Sequence, residues 1–167
     1  MQPELVSAVD KYFQPKMFVN HYGSSEIYTF TIEPEAALRP SSAGKAGINS
    51  RVKVIALGAT SAEEEVPLGT QGEIVASLDN DEAFEGYWKR PEATQTAIRD
   101  GWYFSGDVGY FDAVGNLHIT GRVDDMILTG GENVLPLEIE QILLEHPAIV
   151  DVAVAGVLDD RLGQKVV

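Results

Sequence analysis

Apolar positions at the start of the chain recur with a helical period. Leu5, Val6, Val9, Tyr12 and Phe13 follow the spacing i, i+1, i+4, i+7, i+8, and Pro3 suits a first turn. The spacing predicts a short helix ended by Pro15. Met17-Phe18-Val19-Asn20 is a brief apolar run that reads as a buried strand, breaking at Tyr22-Gly23-Ser24-Ser25-Glu26. An open strand end followed by a polar turn is where α/β sheets place ligands.

From Ile27 to about Thr120 the period changes to alternation. Residues 51–57 and 72–77 are strand-like, separated by a loop that carries Glu63-Glu64-Glu65 and Pro67. Asp112-Ala113-Val114-Gly115-Asn116 reads as a hairpin turn joining a strand at 108–111 to one at 117–120. One helix interrupts the region, opened by Pro91, running through Ile98 and stopped by Asp100-Gly101. After Gly121 the pattern shifts again. It predicts a strand over 123–129, a sharp loop at Gly130-Gly131, a helix from Pro136 to about Glu145 with Ile139, Ile142 and Leu143 as its stripe, and a strand over 149–154. The fold class expected is α+β (mixed α/β). The middle region reads as a small antiparallel β subdomain, a sheet or an open barrel, flanked by a strand-helix segment before it and a β-α-β stretch after it.

Composition narrows the function classes. The chain has 167 residues with 12 Lys+Arg against 26 Asp+Glu, a formal charge of −14. That balance argues against nucleic acid or an anionic membrane surface as partner, because neutralising phosphates needs a basic face. No apolar run approaches the ~20 residues of a membrane span, and the N-terminus is a mixed polar segment unlike a signal peptide. With no cysteine there is no disulfide, thiolate metal site or Cys nucleophile. A cytoplasmic location is expected.

Three segments could carry chemistry. The pentapeptide at 22–26 combines an aromatic face, flexible backbone, two hydroxyls and a carboxylate, a set able to stack on a base, bond a phosphate and help hold Mg²⁺ through oxygen. A plain polar turn would also explain it. Trp102 through Asp107 places a carboxylate behind aromatics and a glycine, suited to accept from a ribose diol. An Asp capping a turn before the Val108 strand is the bland alternative. The third runs from Gly121 through Arg122 and Asp124 to Gly130-Gly131 and Glu138-Ile139-Glu140. Arg122 could grip a ribose or phosphate, and a diglycine lets backbone approach a ligand closely. A salt-bridged strand, a turn and an amphipathic helix explain each piece, but not the order of all three. His21, His118 and His146 are scattered without metal-ligand spacing, residues 79–82 lack an EF-hand pattern, and neither Gly-x-Gly-x-x-Gly nor a Walker loop occurs.

Taken in order, YGSSE at 22–26, GE(I)…GY at 72–87, WYFSGD at 102–107 and GRVDDMILTGGENVLPLEIE at 121–140 resemble the adenylate-forming (AMP-binding) superfamily. That superfamily comprises acyl- and aryl-CoA ligases, luciferases and peptide-synthetase adenylation domains, and the resemblance runs from about residue 15 to the end. It implies an acyl- or aryl-CoA ligase reaction, in which a carboxylic acid, ATP and CoA give acyl-CoA, AMP and pyrophosphate through an acyl-adenylate. The cofactors and partners implied are ATP, Mg²⁺, CoA and a small-molecule carboxylic acid, with a homo-oligomer left open. By the same resemblance Tyr22 packs on adenine, Ser25 contacts the phosphates and Glu26 binds Mg²⁺, Ser25 and Glu26 being the catalytic pair. Asp107 and Arg122 hold the ribose, Asp124 is the hinge, and Gly130 and Gly131 line the pantetheine tunnel.

The resemblance also implies a domain plan. Residues 1–26 end a large N-terminal α/β subdomain, 27–120 form its β-rich subdomain, 121–124 are the hinge and 125–167 an incomplete α+β lid. Ser25 and Ser105 stand where Thr is usual, each keeping a hydroxyl. A Ser/Thr/Gly-rich phosphate loop is absent before residue 22, and Lys165 lies too near the 149–154 strand to match the family's late lysine. The isolated chain is therefore expected to be an inactive fragment. The rival reading is a non-catalytic β-rich nucleotide-binding or interaction module on the same scaffold.

Overall fold

The computed structural model describes residues 3–167; Met1 and Gln2, the first residues of the expected 1–26 segment, lie outside the described residues. Helix α1 (Pro3–Phe13) has proline in its first turn, with Glu4 near its start and Lys11 near its end complementing the helix dipole. Its buried residue is Val6, while Tyr12 and Phe13 are exposed. The expected strand at 17–20 is displaced. Met17 and Val19 face solvent, and pairing begins with β1 (Asn20–Tyr22), because Asn20 is the first residue opposite a partner, Glu33. Strand β1 pairs antiparallel with β2 (Thr31–Glu33), and β2 with β3 (Lys45–Ala46).

A five-stranded sheet follows. Strands β4 (Val52–Ile55) and β5 (Gly72–Ser77) pair antiparallel, and β5 lies against β7 (Trp102–Phe111), which also pairs with β6 (Ile98–Arg99) and β8 (Leu117–Arg122). Helix α2 (Pro91–Ala97) precedes β6. Asp100-Gly101 is not the helix stop but the two-residue turn of the β6–β7 hairpin, with Arg99 opposite Trp102 and φ of 48° and 78° at the two turn residues. Such positive φ pairs match the right-handed twist of the strands they join. The main apolar cluster includes Ile27, Phe30, Val54, Ile74, Tyr103 and Leu117.

Two compact units divide the chain. One holds residues 1–105 and 109–119, the other 106–108 and 120–167. In the second, the expected strand over 123–129 shortens to β9 (Ile127–Thr129), since residues 123–125 form a turn. Strand β9 pairs with β10 (Glu132–Val134) across Gly130-Gly131, whose φ values of 58° and 91° suit a two-residue hairpin turn. Helix α3 (Pro136–Leu144) follows. The expected strand at 149–154 is not formed. The Val154 N–H donates to Glu140 Oε1 at 2.8 Å instead of to a sheet, and Val150 is exposed. The edge of β9 is taken by β12 (Gly163–Val166), itself paired with β11 (Gly156–Asp159), so a four-stranded antiparallel sheet in the order β10-β9-β12-β11 replaces the β-α-β arrangement. The fold class is mixed α+β with antiparallel sheets and few helices.

Candidate functional site

In the first unit the turn after β1 is built around Ser24. Its Oγ accepts the N–H groups of Glu26 at 3.1 Å and Ile27 at 3.2 Å, and its own N–H donates to the Ile27 carbonyl at 2.9 Å. A Cβ at Gly23 would strike the Tyr28 carbonyl, so that position needs glycine for space. This winding leaves Ser25 exposed, Glu26 half-buried, and Ile27 fully buried as an anchor. The Tyr87 hydroxyl donates to Glu26 Oε1 at 2.7 Å. Burial opposes ionisation of Glu26, but hydrogen bonds from Tyr87, Ser24, its own backbone N–H and Tyr103 outweigh it, and its pKa lies below the ordinary carboxylate value. Both tyrosines move the other way. Tyr87 and Tyr103 have raised pKa values, first through burial and then through the Glu26 charge, so both stay protonated.

Tyr22 is half-buried and meets Phe30 edge-on at 5.1 Å between ring centroids. The aromatic series continues from Phe30 to Tyr103 at 6.2 Å, Tyr103 to Phe84 at 5.6 Å, and Phe84 to Tyr87 at 5.1 Å. Tyr22 and Glu26, both expected from the sequence, are thus tied to one packed aromatic row. Tyr87 and Tyr103 had no expected role. The signal that could have found Tyr87 was its place in the GY of the 72–87 segment, but its partner is 61 residues away.

The second unit carries the other expected pair. Arg122 Nη1 donates to Asp107 Oδ1 at 2.7 Å, with the Asp107 side chain 19% and the Arg122 side chain 51% exposed. Asp107 lies inside β7 and is no turn cap. Gly106, at φ 72°, lets the guanidinium lie against it, since a Cβ there would sit 3.2 Å from Arg122 Nη2. The Val123 N–H donates to the Gly106 carbonyl at 2.7 Å and fixes the chain just past Arg122. Asp124 is exposed in the following turn. Gly130 donates its N–H to the Leu162 carbonyl at 2.9 Å, and Gly131 has open space where a side chain would stand.

Among the described residues no group of three or more His, Asp or Glu is placed to hold a metal ion. A lone ionised carboxylate fits Mg²⁺ that arrives with phosphates, because Mg²⁺ keeps waters and takes one or two carboxylates plus substrate oxygens. Among those residues no helix is long and apolar enough to cross a membrane.

No family model matches the chain. It is 42% identical over 152 residues to a 4-chlorobenzoate–CoA ligase of an Arthrobacter species, covering 89% of the chain and 28% of that protein. It is 42% identical over 147 residues to a feruloyl-CoA synthase of an Amycolatopsis species, covering 88% of the chain and 29% of that protein. The Bacillus subtilis O-succinylbenzoate coenzyme A synthetase, solved in complex with ATP and magnesium ion, superposes with a TM-score of 0.80 at 26% identity, over 99% of this chain and 33% of that one. The chain thus spans somewhat over a quarter of the length of the curated relatives it matches. Motif order, fold and these likenesses agree, and the chain belongs to the adenylate-forming superfamily of acyl- and aryl-CoA ligases.

Proposed function

We propose that this chain supplies the nucleotide-handling part of an acid–CoA ligase. A carboxylate attacks the α-phosphate of ATP to give an acyl-adenylate and pyrophosphate, and the CoA thiol then displaces AMP. The observation that carries the reading is Glu26, held ionised and fixed by the hydroxyls of Tyr87 and Ser24. Mg²⁺ bound there with ATP supplies neutralisation of phosphate charge. Ser25 offers an exposed hydroxyl to a phosphate oxygen, and Tyr22 offers its ring to the adenine.

In the second unit Asp107 and Arg122 are an acceptor and a donor suited to a ribose diol, their mutual ion pair holding both side chains in place. The exposed turn at Asp124 is the proposed hinge, and Gly130-Gly131 the stretch that admits the pantetheine arm of CoA. Cytoplasmic residence belongs to the same reading, and the 42% identity to aryl-CoA ligases supports a small-molecule carboxylic acid as substrate.

Calorimetric titration of the chain with ATP, in Mg²⁺ and again in EDTA, tests it. Binding in Mg²⁺ should be tighter. Glu26→Gln should abolish the difference between the two conditions, whereas Asp107→Asn should weaken binding in both. Equal affinity of the wild-type chain in Mg²⁺ and EDTA would remove Glu26 from the metal role.

A further inference from the structure

Glu26 lies on a turn, and turns hold side chains loosely unless something else pins them. Here the pin is a separate segment of the chain. The Phe84 N–H donates to the Glu26 carbonyl at 2.8 Å, and Ile27 bridges to Ala83 in antiparallel fashion. Three residues on, Tyr87 reaches back to Glu26 Oε1. Tyr87 is itself fixed from behind. Its N–H donates to Thr94 Oγ1 at 2.9 Å, and that hydroxyl donates to the Arg90 carbonyl at 3.1 Å, anchoring the turn to the first residues of α2. Gly86 is required by the same contact, because a Cβ there would stand 2.8 Å from Thr94 Cγ2. The Tyr87 ring then packs edge-on against Phe84, and Phe84 against Tyr103.

These contacts form one continuous support, from α2 through Thr94 and Tyr87 to the carboxylate. A phenol that only filled space would not need its hydroxyl on Glu26 Oε1. We infer that Tyr87 is a positioning residue that fixes the Glu26 carboxylate for a divalent cation, with Thr94 holding Tyr87 in turn. The inference rests on the proposed metal role of Glu26. With Oε1 held by the phenol, the carboxylate is presented in one rotamer and pays less ordering entropy when it takes the cation. Tyr87 touches neither cation nor nucleotide in this account. It should govern how strongly Mg²⁺ aids ATP binding and leave the nucleotide's own contacts alone.

The experiment compares wild type, Tyr87→Phe, Thr94→Val and Glu26→Gln by titration with ATP across a Mg²⁺ series and in EDTA, with thermal unfolding of each variant alongside. Tyr87→Phe keeps the ring and its contact with Phe84, so its unfolding temperature should stay near wild type. Its half-saturating Mg²⁺ concentration should rise about tenfold, the usual scale for losing a partner that orients a metal ligand. Thr94→Val should produce a smaller rise in the same direction. ATP affinity in EDTA should be the same for wild type, Tyr87→Phe and Thr94→Val. If Glu26→Gln abolishes the Mg²⁺ response while Tyr87→Phe leaves it at the wild-type value, the metal role stands and the positioning role is overturned. If Glu26→Gln responds to Mg²⁺ as wild type does, or wild type shows no response, the metal role falls and takes the inference with it. If Tyr87→Phe weakens ATP binding equally in Mg²⁺ and EDTA, the phenol serves the fold or the nucleotide, and positioning is again overturned.

Discussion

The two units handle their chemical groups in opposite ways. Among the described residues, fifteen of the eighteen buried apolar side chains belong to the first unit, and only Val108, Ile127 and Leu135 to the second. Glu26 is accordingly carried on a turn backed by a packed aromatic row, whereas Arg122 is half exposed beside Asp107. The second unit is organised by short-range pairing: a diglycine hairpin at β9–β10, a second hairpin at β11–β12, and a helix with no fully buried side chain. A core fixes a side chain to within a rotamer, while hairpin pairing fixes mainly backbone. The difference suits the proposed metal-holding group to the first unit and the proposed moving element to the second.

The largest expected effect tests the core. Phe30→Ala removes a fully buried ring between Tyr22 and Tyr103 and should cost about 4 kcal/mol in denaturant unfolding. A cost below about 1 kcal/mol would show that the aromatic row does not hold the first unit.

Acid should unsettle the same unit next. Arg39 beside Glu33, followed by the Glu35 N–H and the Ser42 hydroxyl, overcomes burial and draws the Glu33 pKa down from 4.5 to about 2. Burial raises that of Asp112, but the Asn116 N–H, the His118 ring and further bonds from Asn116 and Val114 bring it from 3.8 to about 2. Both carboxylates are depressed in the folded state, so the unfolded chain binds more protons below pH ~4.5. Their contribution is complete above that value and is lost as pH falls toward 2, on the order of 3 kcal/mol for Glu33. Unfolding free energy measured from pH 6 to 2 should fall through this window, and Glu33→Gln should flatten the slope. An unchanged slope in that variant would contradict the assignment.

How far the sequence disclosed this arrangement depends on the range of the forces involved. Strand β5 was legible to the residue, and α1 nearly so, because alternation and 3.6-residue spacing are local signals. Met17 to Asn20 looked like a strand by hydrophobicity alone, yet strand pairing requires an available partner, and that begins at Asn20. Residues 149–154 failed for the same reason, the sheet edge going to β12. Asp100-Gly101 carries a hairpin signature that its position behind a helix obscured. For the site, the Glu26 and Asp107–Arg122 segments were visible as motifs. The Tyr87 hydroxyl on Glu26 was not, because a contact spanning 61 residues leaves no spacing to read.

Two smaller effects bear on the second unit. Gly131→Val places a β-branched residue at φ 91° and should cost about 2 kcal/mol, read as faster hydrogen exchange in β9 and β10 with β4 and β5 unchanged. Equal acceleration in both units would mean that they unfold together. Ile142→Ala, on a side chain 67% exposed, should change stability by less than about 0.5 kcal/mol. A cost above 2 kcal/mol would show that α3 has a packed face.

The most direct measurement of the central claim is paramagnetic broadening of backbone NMR signals by Mn²⁺ added with ATP, since Mn²⁺ takes the same oxygen ligands as Mg²⁺. Glu26 as the cation's carboxylate predicts that signals of residues 24–27, 84–87 and 103 broaden first, and that Glu26→Gln removes the effect. Broadening centred on the exposed acidic loop at Asp79 and Asp81, with residues 24–27 unaffected, would contradict it.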